Sequence, residues 1–245
     1  MAWASVRFAL AVVVLLYLPG RWLLGRASRG LRPLDALTLS LLLGIASSSL
    51  AYWAAAACGW RGLFLAWPLG GVAAALWRLK SDPPERWRGW RPRPGHWLLG
   101  LTVATGIGLL ALLPLYYRNL LPQPGGGLSY YALPDLVFHV SLANEITRSV
   151  PPQIPFLPGR PLGYHYGMDL LAALFSDWAR LSLADASVRF VPTLLLAMAM
   201  LAAFVFSRAW LGSERAAALA TALIYFGEDL SFVPGALLGG AGSWA

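Results

Sequence analysis

The fold class that this sequence predicts is all-α: a polytopic membrane bundle of about six transmembrane helices, with a long outer loop carrying two short interfacial helices. Three observations predict it. Only 12% of the 245 residues are charged and 58% are hydrophobic, where a soluble domain carries roughly 25% charged residues. The apolar residues gather into several long runs, and mean hydropathy is +0.60. The basic residues, nearly all Arg, cluster between those runs, as they do in cytoplasmic loops. Those loops account for the net charge of +8, so nucleic acid is not an expected partner. Twelve Trp suit side chains at the lipid–water boundary. Cys58 stands alone, which excludes an internal disulfide and any cysteine metal motif.

Taken in order, residues 2–18 form an uncleaved first helix, because Pro19-Gly20-Arg21 makes a poor cleavage site and further spans follow. Residues 34–58 form the second span, with Asp35 near its start where a carboxylate suits the helix dipole. Cys58 to Gly62 is a tight turn, and residues 63–77 are a third span, short for a bilayer of roughly 30 Å. The segment 78–96 is the most basic. Residues 97–117 form the fourth span, 190–211 the fifth, and 214–226 or beyond the sixth. The chain therefore divides at about residue 96: N-terminal helices with basic loops in 1–96, and a second part in 97–245 with the long loop 118–189.

If the helices alternate, the Arg26–Arg32 turn, the 78–93 loop and the Arg208/Arg215 turn share one side. The positive-inside rule makes that side cytoplasmic. The expected location is the cytoplasmic (inner) membrane, with the long loop on the periplasmic or extracellular face. Arg7, on an outer N-terminus, stands against this orientation. The bias toward Arg, Ala, Leu, Gly and Pro is that of a GC-rich bacterial genome.

Within the loop, Pro134 suits a first helical turn, and a helix is expected over 135–148 until Val150-Pro151-Pro152 stops it. The Pro- and Gly-rich stretch 153–163 must be extended or turning, and a second helix is expected over 166–183. Both helices are expected to lie along the membrane surface.

The candidate functional residues concentrate here. Asp135 and His139 are four apart and share a helix face, so a carboxylate backed by an imidazole could take a proton from a hydroxyl or bind a metal. The same spacing equally fits a carboxylate on a helix dipole beside an interfacial imidazole. Tyr164, His165 and Tyr166 offer flat faces and hydroxyls for a sugar, or form part of an interfacial aromatic belt. Arg148 and Arg160 suit a phosphate, either of a substrate or of lipid headgroups. Glu228 and Asp229 form a second acidic cluster about 21 Å along the sixth helix from Glu214, at 1.5 Å per residue. That rise brings them to the same side as Asp135, unless they belong to an ordinary loop.

The runs PDLVFHVSLANEI, PPQIPFLPGRPLGYHYG and LLAALF, taken together, resemble the GT-C class of membrane glycosyltransferases. Those enzymes use polyprenyl-phosphate-linked sugars, and the resemblance covers roughly the second half of the chain. It implies a lipid-linked sugar donor, membrane lipids as partners, and transfer to an acceptor at the outer face of the membrane. It implies a catalytic or metal-binding Asp in the first outer loop at Asp135, and an acidic motif in the second at Glu228-Asp229. The cofactor it admits is a divalent cation, magnesium or manganese. His139, Arg148, Arg160, Tyr164, His165 and Tyr166 would bind substrate. Asp135 lacks the adjacent second acid of some members, and members continue with further helices, so this chain reads as the N-terminal part of a longer enzyme. Two rival readings are a transporter or flippase component, with Asp135 and Glu228-Asp229 as ion sites, and a scaffold whose loop docks a partner.

Overall fold

The computed structural model of the chain describes residues 2–81, 121–122, 128–129 and 134–226. The predicted span 97–117, most of the basic loop 78–96 and the Glu228-Asp229 pair lie outside the described residues. The described part is mostly helical. Three helices are long and apolar enough to cross a membrane: α1 (Trp3–Leu24), α2 (Pro33–Ala57) and, numbered below as α6, Leu183–Leu211. Between α2 and α6 lie α3 (Ala66–Ser81), two-residue strands β1 (Leu121–Pro122) and β2 (Leu128–Ser129), α4 (Pro134–Ile146), strands β3 (Gln153–Ile154) and β4 (Leu157–Pro161), and α5 (Gly167–Ala179). After α6 comes α7 (Glu214–Phe226). Strands β1 and β2 pair antiparallel, as do β3 and β4. The stretch expected to be extended or turning is thus a small hairpin, closed at its base by a bond from the Leu162 N–H to the Pro152 carbonyl.

Two predicted helix ends are displaced, both at prolines. The first helix does not stop at Leu18 but runs through Pro19 to Leu24, and the fifth begins at Leu183 instead of Phe190. In each, a wide π turn (Val12–Tyr17 in α1, Ala186–Phe190 in α6) ends two residues before the proline, at Pro19 and Pro192. Proline lacks an N–H and its ring crowds the carbonyl four residues back. Widening the turn relieves that crowding, and a hydroxyl occupies a freed carbonyl. Ser48 Oγ donates to the Leu15 carbonyl, four residues before Pro19, at 2.5 Å. Proline inside a membrane helix is tolerated where neighbours take over its backbone bonds in this way.

The third predicted span is a 3₁₀ turn, Arg61–Leu65, leading into α3. At 16 residues α3 is about 24 Å long, short of the roughly 30 Å hydrocarbon core. The described residues therefore carry three membrane-length helices, and six spans are not shown.

Helices α1 and α2 approach at small residues. A Cβ on Gly44 would lie 2.0 Å from the Leu16 carbonyl oxygen, and one on Gly20 would lie 1.8 Å from that of Ser40. Such close backbone contact is how membrane helices associate where lipid removes the hydrophobic drive between them. Trp67 of α3 donates its ring N–H to Ser48 Oγ at 3.1 Å, which ties α3 to the same seam.

Helix α2 has 25 residues, about 37 Å, and polar bonds hold both of its ends. At its start, Arg208 donates to Asp35 while Arg32 donates to Glu214 at 3.1 Å. The α1–α2 turn and the α6–α7 turn therefore share one end of the bundle, as the alternation of helices predicts. At its finish, Tyr52 and the nearby Arg61 reach Asp177 of α5. The loop helices thus sit at the opposite end.

Helix α5 departs from the expected surface helix. Leu170 to Phe175 are all buried, and this run packs against α1, α2, α4 and α6 in one continuous core. Phe8 of α1 lies 5.0 Å from the Phe175 ring and 4.7 Å from that of Phe190. An all-apolar run of six residues leaves no polar face for water. The helix ends at Ala179 instead of Leu183 because Arg180 takes a left-handed conformation with φ 52°, after which Ser182 caps α6 through the Asp185 N–H.

Gly44→Ala should destabilise the bundle by about 1–3 kcal/mol, the usual cost of overpacking. Gly70→Ala, where a methyl meets nothing within 4 Å, should be neutral or slightly stabilising. Denaturant unfolding in detergent compares the two. Equal stability would show that α1 and α2 do not meet at Gly44.

Candidate functional site

At the α5 end of the bundle, two helices face each other across one imidazole. Pro134 opens α4, and Asp135 follows in its first turn with a side chain 75% exposed. One turn on, His139 is largely enclosed, and its Nδ1 lies 2.9 Å from Oδ1 of Asp169 in the first turn of α5. The Asp169 side chain is only 1% exposed. The other ring nitrogen, Nε2, lies 3.6 Å from Asp135 Oδ2, too far for a direct hydrogen bond. The arrangement is a chain from a buried carboxylate, through an imidazole, to an exposed carboxylate.

Burial pushes the Asp169 carboxyl above its ordinary value of 3.8, because the charged form loses its water. The nearby charges of His139 and His165 pull it part of the way back. Its second oxygen, Oδ2, has no hydrogen-bond partner among the described residues. When Asp169 is ionised it accepts from Nδ1–H, which leaves the lone pair on Nε2, the ring nitrogen nearer Asp135. A hydroxyl placed between Nε2 and Asp135 Oδ2 would find two proton acceptors at once. This is the geometry of a general base whose tautomer is fixed from behind by a carboxylate.

An aromatic rim borders the imidazole. Phe138 meets His139 edge-on at 5.7 Å and Tyr164 at 6.0 Å, and Tyr164 stacks on His165 at 4.0 Å. Tyr164 and His165 are exposed. Tyr166 is half-buried, and its hydroxyl accepts from the Trp53 ring N–H of α2 at 3.1 Å. The structure thus brings together Asp135, His139, Tyr164 and His165. Arg148 lies just past α4 and Arg160 on β4. Both are exposed, and neither contacts the carboxylate–imidazole chain among the described residues. The partner of the buried carboxylate is His139.

Two features escaped the sequence reading. Asp169 is not among the candidate residues above, although it stands immediately before six apolar residues, a signal that its carboxylate would be buried. The second is the Arg61 bridge. One guanidinium donates from NH1 to the Tyr52 hydroxyl at 2.5 Å and to Asp177 at 3.1 Å, and from NH2 to the Ile146 carbonyl at 2.5 Å. Tyr52 itself donates to Asp177 at 2.6 Å. This ends α4 at Ile146, two residues before the predicted Arg148, and fixes α4, α5 and α2 to one another. Separations of 85 and 116 residues leave no local signal of these contacts.

No family model, curated protein or solved structure matches this chain.

A raised carboxyl favours the protonated fold. The stability that Asp169 contributes is full below about pH 3.8, and is lost as pH rises through its higher folded value. Thermal unfolding in detergent from pH 4 to neutrality should show this decline in the wild type, and a weaker one in Asp169→Asn. Parallel curves for the two would contradict the burial of an ionisable Asp169.

Proposed function

We propose that this chain belongs to a membrane-embedded transferase that moves a sugar from a polyprenyl-phosphate-linked donor to a hydroxyl acceptor at the outer face of the cytoplasmic membrane. One observation supports it above the others: His139, braced by buried Asp169, presents Nε2 toward exposed Asp135 at the α5 end of a bundle of membrane-length helices. The resemblance of the loop runs to GT-C enzymes points the same way.

In the proposed reaction the acceptor hydroxyl sits between Asp135 and His139. Its proton passes to the Asp135 carboxylate or to Nε2 as its oxygen bonds to the anomeric carbon. The bond from that carbon to the phosphate oxygen breaks, and polyprenyl phosphate leaves with the electron pair, inverting the anomeric centre. Asp169 holds the imidazole in the tautomer that can accept. Tyr164 and His165, already stacked, offer a face to the sugar, and Tyr166 lies beside them. Arg148 or Arg160 meets the phosphate. Alternatively, Asp135 with Glu228 and Asp229 would hold a divalent cation, magnesium or manganese, that positions the phosphate. Among the described residues no three His, Cys, Asp or Glu converge to hold a metal ion.

A second reading has a specific observation in its favour. A chain from a buried acid to an exposed one is also what proton-coupled transport uses. The loop helices sit at one end of the bundle and not midway along a span, which favours transfer chemistry.

Sugar transfer from a radiolabelled polyprenyl-phosphate donor, by the whole protein in nanodiscs, tests the proposal. Asp135→Asn should lower the rate by about 10²–10⁴, the usual contribution of a general base, and His139→Ala by a comparable factor. Undiminished transfer by Asp135→Asn would remove its assigned role. Proton flux in liposomes without any transfer would favour the second reading.

A further inference from the structure

The tip of the hairpin between α4 and α5 carries two apolar side chains, Phe156 and Leu157, that the proposed reaction does not use. Its base is fixed to the protein: Val150 and Leu162 pack on the core, and the Leu162 N–H closes onto the Pro152 carbonyl. Its tip is not. Phe156 is 63% exposed and Leu157 is 56% exposed, adjacent large apolar side chains at the turn between β3 and β4. Water does not favour such a tip, and isolated two-stranded hairpins have little stability of their own.

Three observations say what covers it. The first is its level. Just beyond the hairpin, Tyr166 accepts from Trp53, near the last turn of α2. Since α2 is about 37 Å long and the hydrocarbon core roughly 30 Å, that turn falls at the headgroup boundary. Trp53 and, beyond it, Trp60 are both exposed there, as interfacial tryptophans are. The second is charge. Residues 149–163 hold no acidic residue and one basic one, Arg160, which is exposed and has no ion pair among the described residues. The third is composition. Pro155, Pro158 and Pro161 withhold N–H groups along the hairpin, so its edge offers few donors for another protein strand to pair with.

We infer that the hairpin tip is a membrane-surface anchor: Phe156 and Leu157 enter the lipid boundary at the α5 end of the bundle, and Arg160 meets a lipid phosphate. The occupant is the bilayer of the chain's own membrane, and the inference does not depend on the transfer reaction. An amphipathic element of this kind adds apolar burial to electrostatic attraction toward anionic lipid. It would hold the α4–α5 segment down on the leaflet from which a lipid-linked molecule reaches Asp135.

The test uses the whole protein, with Cys58→Ser to remove the lone exposed thiol. A nitroxide is attached at Phe156→Cys, or at Leu157→Cys should the first fold poorly, in nanodiscs of phosphatidylglycerol and phosphatidylethanolamine. Oxygen dissolves in lipid and a nickel chelate stays in water, so collision of each with the label reports depth. The expected result is access to oxygen exceeding access to the chelate, with a shift toward the chelate when Arg160→Glu is added. Access mainly to the chelate would place the tip in water. Suppressed access to both would place it against protein. Either result overturns the inference, whatever the outcome of the transfer assay.

Discussion

The α5 end of this molecule is organised by the cost of placing one carboxylate inside an apolar core. Asp169 precedes six buried apolar residues, so folding α5 into the bundle takes its carboxylate out of water. An ionised group there needs a partner, or else gives up its charge. His139 provides the partner from α4, and the imidazole is thereby fixed in position with its free nitrogen turned toward Asp135. The orientation of the candidate base thus follows from packing. The apolar run that makes α5 a core helix is also what makes its acid demand an imidazole.

Helix α2 relates this end to the rest of the chain. It is long enough to span a bilayer, and ionic or charge-assisted bonds hold both its ends: Asp35 with Arg208 at one, Tyr52 with Asp177 and Arg61 at the other. Between them the contacts are small residues and hydroxyls, Gly44, Ser40 and Ser48 against α1. The polar anchoring is at the ends and the close backbone packing is in the middle, the distribution that a membrane imposes. Arg61 reaches both α4 and α5, so the spacing of the two helices that carry His139 and Asp169 is held from the end of α2.

Much of this was legible in the sequence, for identifiable reasons. The second span was legible because a long apolar run bounded by Pro33 and Gly59 has few alternatives. The helix from Pro134 and the face shared by Asp135 and His139 follow from local spacing alone. The first and fifth helices were misjudged because Pro19 and Phe190-Val191-Pro192 look like ends. In lipid a proline is accommodated by a π turn and a neighbouring hydroxyl, and neither leaves a mark on the local pattern. Helix α5 was read as a surface element because it sits in a polar, proline-rich loop. That its six-residue apolar run is enclosed on every side is a fact of tertiary packing. For the same reason Asp169 carried no assigned role, and the meeting of Tyr52, Arg61 and Asp177 had no sequence signal.

The central claim is that Asp169 and His139 act as a coupled pair, and not as neighbours by accident. A double-mutant cycle measures that coupling, using the stability in detergent of the wild type, His139→Ala, Asp169→Ala and the double variant. A hydrogen bond to a charged group predicts a coupling of about 1.5–3 kcal/mol, with the double variant less damaged than the two single losses added together. Additivity to within about 0.5 kcal/mol would show that the two side chains do not interact, and the imidazole would then have nothing to orient it.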